Sequence, residues 1–222
     1  MTTSSTEIHT RPDLLAEFDR QVEVLLEKDY ARACGLQPDT FLERIGPLKD
    51  LLRKGTVTAE AAPYPFVIVI TSELVPASRS IAFVQRREGP GFTVLDDDDL
   101  ARFTPIDTVQ LPRGAAYLVL DVDTGADTKN VTPNDALERI EGADRSPLTI
   151  DEGIALITQH PEAVAKNGGF SLAGSRCGDR RVCALWISES RPKLGWCWAG
   201  NPHTWLGTAS CGGRVGVPIP GG

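Results

Sequence analysis

Phe66-Val67-Ile68-Val69-Ile70 is the stretch on which the fold class turns. It is continuously apolar, and Val67 through Ile70 are all β-branched, so it reads as a buried strand. Working outward, the upstream text has helical period. Leu14, Phe18, Val22, Leu25 and Leu26 recur at three- and four-residue intervals, with Asp13 placed to cap the helix and Gly35 to end it. Thr40 followed by Glu43 has the capping-box spacing for a second helix carrying Phe41, Ile45, Leu48 and Leu52, broken or kinked at Gly46-Pro47. Residues 11–55 are therefore expected as a helical hairpin, behind a Thr/Ser-rich disordered leader at residues 1–10.

Downstream, Ile81-Ala82-Phe83-Val84 and Phe92-Thr93-Val94 read as short strands joined by a Gly89-Pro90-Gly91 turn, and Tyr117 to Leu120 as another. Asp96 to Asp99 read as acids favoured at a helix N-terminus. Helices are expected at Pro133–Ile140 and Thr149–Lys166, then strands at Val182–Ser188, Leu194–Ala199 and Thr204–Ser210. Strands and helices interleave without a regular βαβ rhythm. The expectation is α+β: a helical hairpin, a central mixed or antiparallel sheet with helices, and Cys/Trp-rich C-terminal strands, with residues 11–222 as a single domain whose sheet core spans 63–222.

The 222 residues carry 23 Lys and Arg against 30 Asp and Glu, a net charge of −7. A nucleic-acid partner needs a basic footprint and is excluded on that ground. No apolar run approaches the roughly 20 residues that span a bilayer, and the polar segment Met1–Thr10 has no signal-peptide core, so a cytoplasmic protein is expected. Charge is uneven: 16 basic and 27 acidic residues precede His160, while 7 basic and 3 acidic follow from it onward. Four of the five cysteines also fall in this basic tail, and their odd number argues for reduced thiols.

Three sets of residues could carry chemistry. Cys177, Cys197, His203 and Cys211 form a Cys₃His combination suited to zinc, which takes four soft or borderline donors at about 2.0–2.3 Å. Strand alternation sets Cys183 aside as core, and puts Cys197 on the face opposite Trp196 and Trp198. Against zinc, the set contains no Cys-x-x-Cys pair, and buried free cysteines are commonly inert. Cys177 could instead be a nucleophile, with His203 as base and Asp179 as orienter. The third set is the run Gly174-Ser175-Arg176-Cys177-Gly178-Asp179-Arg180-Arg181, whose guanidinium groups suit a small anion. Together with the tryptophan-rich segment it nominates Arg176, Asp179, Arg180, Trp198 and His203 as a ligand site. The tryptophans read first as core, with a stacking platform for a flat ligand or the anchor of a homodimer interface as the alternatives.

Two shorter strings are similar to known signatures. Asp123-Thr124-Gly125-Ala126 after Leu120 and Val122 resembles the aspartic-protease triplet, although helical text follows it where that all-β fold has a flap. Asp121-Val122-Asp123-Thr124 resembles the paired aspartates of haloacid-dehalogenase-type phosphatases, with Gly125 where that motif has Thr or Val. The plainer reading of both is a strand ending in an Asp-Gly turn. Over a longer span, Asp121-Val122-Asp123-Thr124-Gly125, Arg145 to Gly153, Gly174 to Arg180, Ala184 to Ser188 and Trp196 to Trp205 resemble an uncharacterised actinobacterial family, a domain of unknown function. The resemblance implies a bacterial cytoplasmic protein and brings no activity with it. The function expected is binding of a small anionic molecule or a protein partner, with zinc fixing the tail. The alternatives are a hydrolase using zinc-bound water or Cys177, and an oligomeric scaffold.

Overall fold

The structure is a computed structural model that describes residues 13–55, 63–86 and 88–217. The expected leader at residues 1–10 lies outside them. Helix α1 (Leu14–Glu27) begins where Asp13 accepts hydrogen bonds from the N–H groups of Leu15 and Ala16. It buries Phe18, Val22 and Leu25. Asp29, in the left-handed region, separates it from the single turn α2 (Tyr30–Ala33), and Gly35 (φ 70°) ends that turn. Helices α3 (Pro38–Ile45) and α4 (Pro47–Arg53) follow, broken at Gly46 as expected. The Thr40 capping box does not form, because α3 starts at Pro38 with Gln37 at its N-cap, three residues before Thr40. Proline's fixed φ and missing N–H suit a first helical position.

Strand β1 (Tyr64–Ile70) leads to α5 (Ala77–Ser80), which runs on into a 3₁₀ turn at Ile81–Phe83 where a strand was expected. Ile81 is fully buried there, so packing overrides its β propensity. The small hairpin β2 (Gln85–Arg86) and β3 (Gly89–Pro90) precedes β4 (Phe92–Thr93). Next come α6 (Asp97–Ala101), capped by Asp96 as its acids suggested, and β5 (Thr104–Pro105). The chain continues through β6 (Ala116–Asp123), α7 (Pro133–Gly142), β7 (Ser146–Pro147) and α8 (Ile150–Gln159). Expected to reach Lys166, α8 stops at Gln159 because Pro161 disfavours a helical residue before it. The last strands are β8 (Gly169–Arg176), β9 (Arg181–Ser188), β10 (Arg191–Trp198), β11 (Leu206–Thr208) and β12 (Ser210–Val215).

The elements form an α+β architecture with two principal sheets. The first is antiparallel, in the order β1-β6-β12-β7. The second is mixed, in the order β11-β8-β9-β10-β4, with β5 against β8 and with β11 and β4 lying parallel to their neighbours. Phe66, Ile68 and Ile70 pack with α1 to α4, while Val67 and Val69 face the opposite way, into a core shared by α8 and the second sheet. β1 is thus covered on both faces, which is why its sequence is continuously apolar. The far face of the second sheet carries a separate small cluster built on Ala173, Val182, Ala184, Cys197, Ala199 and Leu206. Among the described residues no helix is long and apolar enough to cross a membrane.

Candidate functional site

The hairpin of β9 and β10 turns through Glu189-Ser190, both at positive φ (51° and 61°), the signature of a two-residue type I′ loop. That turn fixes the register Val182↔Cys197, Cys183↔Trp196, Ala184↔Gly195 and Trp186↔Lys193. Opposed residues of an antiparallel pair share a face. Cys183, Leu185, Leu194 and Trp196 accordingly face the inter-sheet core, and Val182, Ala184, Trp186 and Cys197 face outward. The alternation expected for Cys183, Trp196 and Cys197 is observed.

On the outer face, Gly195 makes room for an indole. A β-carbon there would stand 2.3 Å from Cη2 of Trp186. Trp205 meets Trp186 edge-on at 6.1 Å, and the His203 ring lies 5.4 Å from Trp205. With Cys197 and Leu206 they line a pocket of about 300 Å³ that also touches Trp196 and Trp198, whose rings meet each other at 4.7 Å on the opposite, inner face of β10. His203 Nε2 is buried without a hydrogen-bond partner among the described residues, and so is Arg176 Nε. Burial pushes the Cys197 thiol up to about 11, opposed by the nearby Arg176 charge. Cations border the pocket: Lys193 Nζ lies 5.4 Å from the Trp186 ring centre, and the Arg180 guanidinium 5.5 Å from that of Trp198.

Of the five residues nominated as a ligand site, Trp198 and His203 touch this pocket, Arg180 lies over Trp198, and Arg176 bears on Cys197 through its charge. Asp179 is engaged elsewhere. It accepts from the Arg181 N–H at 2.7 Å, from Arg181 Nε at 2.9 Å and from the Cys177 thiol at 3.1 Å. Led by the backbone N–H, these bonds hold its carboxyl at about 2. Arg181 in turn forks onto both Asp99 oxygens, so the third arginine of the expected anion site anchors the β8–β9 turn to α6. Sequence reasoning did not assign Trp186, Trp205 and Lys193 to the site. The hairpin register brings Lys193 to Trp186, and Glu189-Ser190 lacks the Asn-Gly or Asp-Gly text that would have announced the turn.

The Cys₃His set is not assembled. Cys197 and His203 share the outer pocket. Cys211 sits in β12, paired to Val122 and Ser146 in the inter-sheet core, and Cys177 packs against that core with its thiol on Asp179. The second sheet stands between the two surroundings, and among the described residues no three His, Cys, Asp or Glu side chains are grouped to hold a metal ion. These donors do not fit zinc. The same separation leaves Cys177 with Asp179 as its partner and without the His203 base.

The aspartate strings are turn chemistry. Asp123 accepts from the Gly125 N–H at 2.6 Å. Gly125 (φ 77°) is pressed against β11, where a β-carbon would stand 2.1 Å from the Thr208 carbonyl oxygen. Asp121, at φ 50°, is paired with Arg145. A further ion pair lies wholly inside the molecule. Glu152, in the first turn of α8, accepts from Arg214 Nε and Nη2, from the Tyr117 hydroxyl at 3.0 Å and from the Thr149 N–H at 2.8 Å. Burial pushes the Tyr117 hydroxyl far up and opposes the charge of Arg214, whose bonds to Glu152 hold it protonated. Arg214 also donates to Ser146 Oγ at 2.7 Å and to the Pro147 carbonyl at 2.9 Å, so the network ties α8 to β6, β7 and β12.

Residues 24–217 match a family of unknown function, DUF5701. The chain belongs to that family. No curated protein and no solved structure matches it. The DUF5701 match takes in both sheets, the Glu152–Arg214 pair and the tryptophan pocket.

Proposed function

We propose that this DUF5701 protein binds a small planar anion, of the aromatic carboxylate class, in the tryptophan pocket. The observation that carries the reading is His203 Nε2, buried at an aromatic pocket with no partner among the described residues. Buried polar atoms are almost always paired, so a ligand oxygen is the natural complement. The indoles of Trp186 and Trp205 offer faces and edges to a flat ring. Lys193, Arg180 and Arg176 supply the charge for a carboxylate, and none of the lining residues is acidic.

The test is titration with 2-naphthoate, read by isothermal calorimetry and by the intrinsic tryptophan fluorescence. Saturable binding is expected, weakened about tenfold or more in His203→Ala and absent for the cationic 2-naphthylmethylammonium. Equal binding of the two probes, or none of the anion at millimolar concentration, overturns the reading. A second reading rests on Trp198, which is 42% exposed beneath Arg180. Tryptophan and arginine dominate interface hot spots, and here they would anchor a homodimer. Light scattering of Trp198→Ala against the parent chain separates the two.

A further inference from the structure

We propose a second ligand site, for an organic ammonium ion with an apolar body, in the cleft at the N-terminal end of α8. This cleft is the larger of the two, about 770 Å³, a volume ordinary for a small-molecule site. It is built where the end of β1, the loop before β6 and the first turn of α8 meet α6. The tryptophan pocket belongs to the outer face of the second sheet, so the two sites share no residue.

Three features select the ligand. Thr71, just past β1, is 8% exposed, and its Oγ1 has no partner among the described residues. An unpaired buried hydroxyl is costly, and at the wall of a cleft a ligand donor satisfies it. Asp151 presents a carboxylate to the same cleft. Its Oδ2 accepts from the Ser72 N–H at 2.9 Å, the Ser72 side chain lies beside the same carboxylate, and no cation pairs with it among the described residues. The overall charge is the third feature: among the described residues Glu73, Asp97 and Asp151 line the cleft against the single cation Arg113, so a cation is attracted and an anion repelled. Opposite these polar groups, Leu100, Phe103, Leu111 and Pro112 form an apolar wall for a hydrocarbon or aromatic body. In this arrangement the ammonium donates to Asp151 and Thr71 while its tail lies on the wall. Burial also pushes the Asp151 carboxyl up from its ordinary value, as expected of a carboxylate awaiting a counter-charge.

The probe is 2-phenylethylammonium, titrated into the full chain by calorimetry and by amide chemical shifts. The neutral 2-phenylethanol and the anionic 3-phenylpropionate serve as charge controls. Saturable binding of the ammonium is expected, with 3-phenylpropionate at least about tenfold weaker. Asp151→Asn keeps an acceptor for the Ser72 N–H, so it should fold while losing about tenfold in ammonium affinity. Thr71→Val removes a hydroxyl that has no partner among the described residues. It should weaken the ammonium several-fold with an unchanged or raised melting temperature, whereas a purely structural hydroxyl would lower that temperature and leave binding alone. Trp205→Ala should not change ammonium binding. No ammonium binding at millimolar concentration, no preference over 3-phenylpropionate, or binding that is lost in Trp205→Ala and retained in Asp151→Asn would each overturn the proposal.

Discussion

The two faces of the second sheet share the same strands and differ in what covers them. Inward, Cys183, Leu185 and Leu194 meet α8 and the first sheet and are fully buried. Outward, Ala173, Ala184 and Gly195 are small, and among the described residues their cluster draws on the second sheet and Ala199 with the large rings of Trp186 and Trp205 over it, while α7 meets β8 and β11 alongside. A face with a partner layer fills its volume with aliphatic side chains. A face without one can instead combine a shallow floor with bulky rings, and that combination leaves a pocket. The inner face therefore carries stability, and the outer face is free to carry binding.

The strongest way to break this contrast is to strike the ion pair inside the inner core. Glu152 is fully buried and the Arg214 side chain is 4% exposed, so Arg214→Met leaves a buried carboxylate without its counter-charge. A loss of about 3–5 kcal/mol is expected in denaturant unfolding; a loss below about 1 kcal/mol would mean that the Tyr117 hydroxyl and Thr149 N–H suffice. Leu185→Ala, on the inner face, should cost about 3 kcal/mol. Trp205→Ala removes a larger side chain from the outer face, yet should cost less than half of that, because one side of its ring meets the open pocket. Equal costs would erase the distinction between the faces.

Gly195→Ala tests the floor itself. The new methyl must displace the Trp186 ring, at a cost of about 1–3 kcal/mol, and 2-naphthoate affinity should change with it. Parent-like fluorescence and affinity would count against Gly195 as the floor. The smallest effect is in the pH dependence. Burial raises the thiols of Cys183, Cys197 and Cys211 above the ordinary 9.0, to about 11 for Cys197 and about 12 for Cys211. The unfolded chain releases these protons first, so their contribution is intact below pH 9 and is lost as pH rises from 9 through the folded values. Melting temperature should fall over that window. Cys183→Ala, on the inner face, should flatten the fall more than Cys197→Ala, and the reverse order would contradict the burial ranking of the two faces.

Much of the framework was legible because it is local. The β-branched run of β1, the Asp13 cap, the Gly46-Pro47 break and the Asp123-Gly125 turn each depend on residues within a few positions of one another. Strand β8 was missed. Gly169, Ser171, Ala173, Gly174 and Ser175 have little strand propensity, and they form a strand because β9 and β11 flank them and the segment is almost entirely buried. Of the candidate site, the aromatic segment and its basic surroundings could be read from the sequence. Their division between two faces followed from period-two alternation.

The sequence by itself determined where the chain turns helical or extended, which side of β10 holds Cys197, and that the tail is cationic and aromatic. Period, capping and charge are properties of neighbouring residues. Only the tertiary structure decided that Glu152 pairs with Arg214, that Asp179 serves a turn, that the four expected zinc ligands divide between the two faces of the second sheet, and that Thr71 and Asp151 meet at a cleft. Those outcomes depend on which distant strands become neighbours, and the burial that ranks them exists only once the layers have closed.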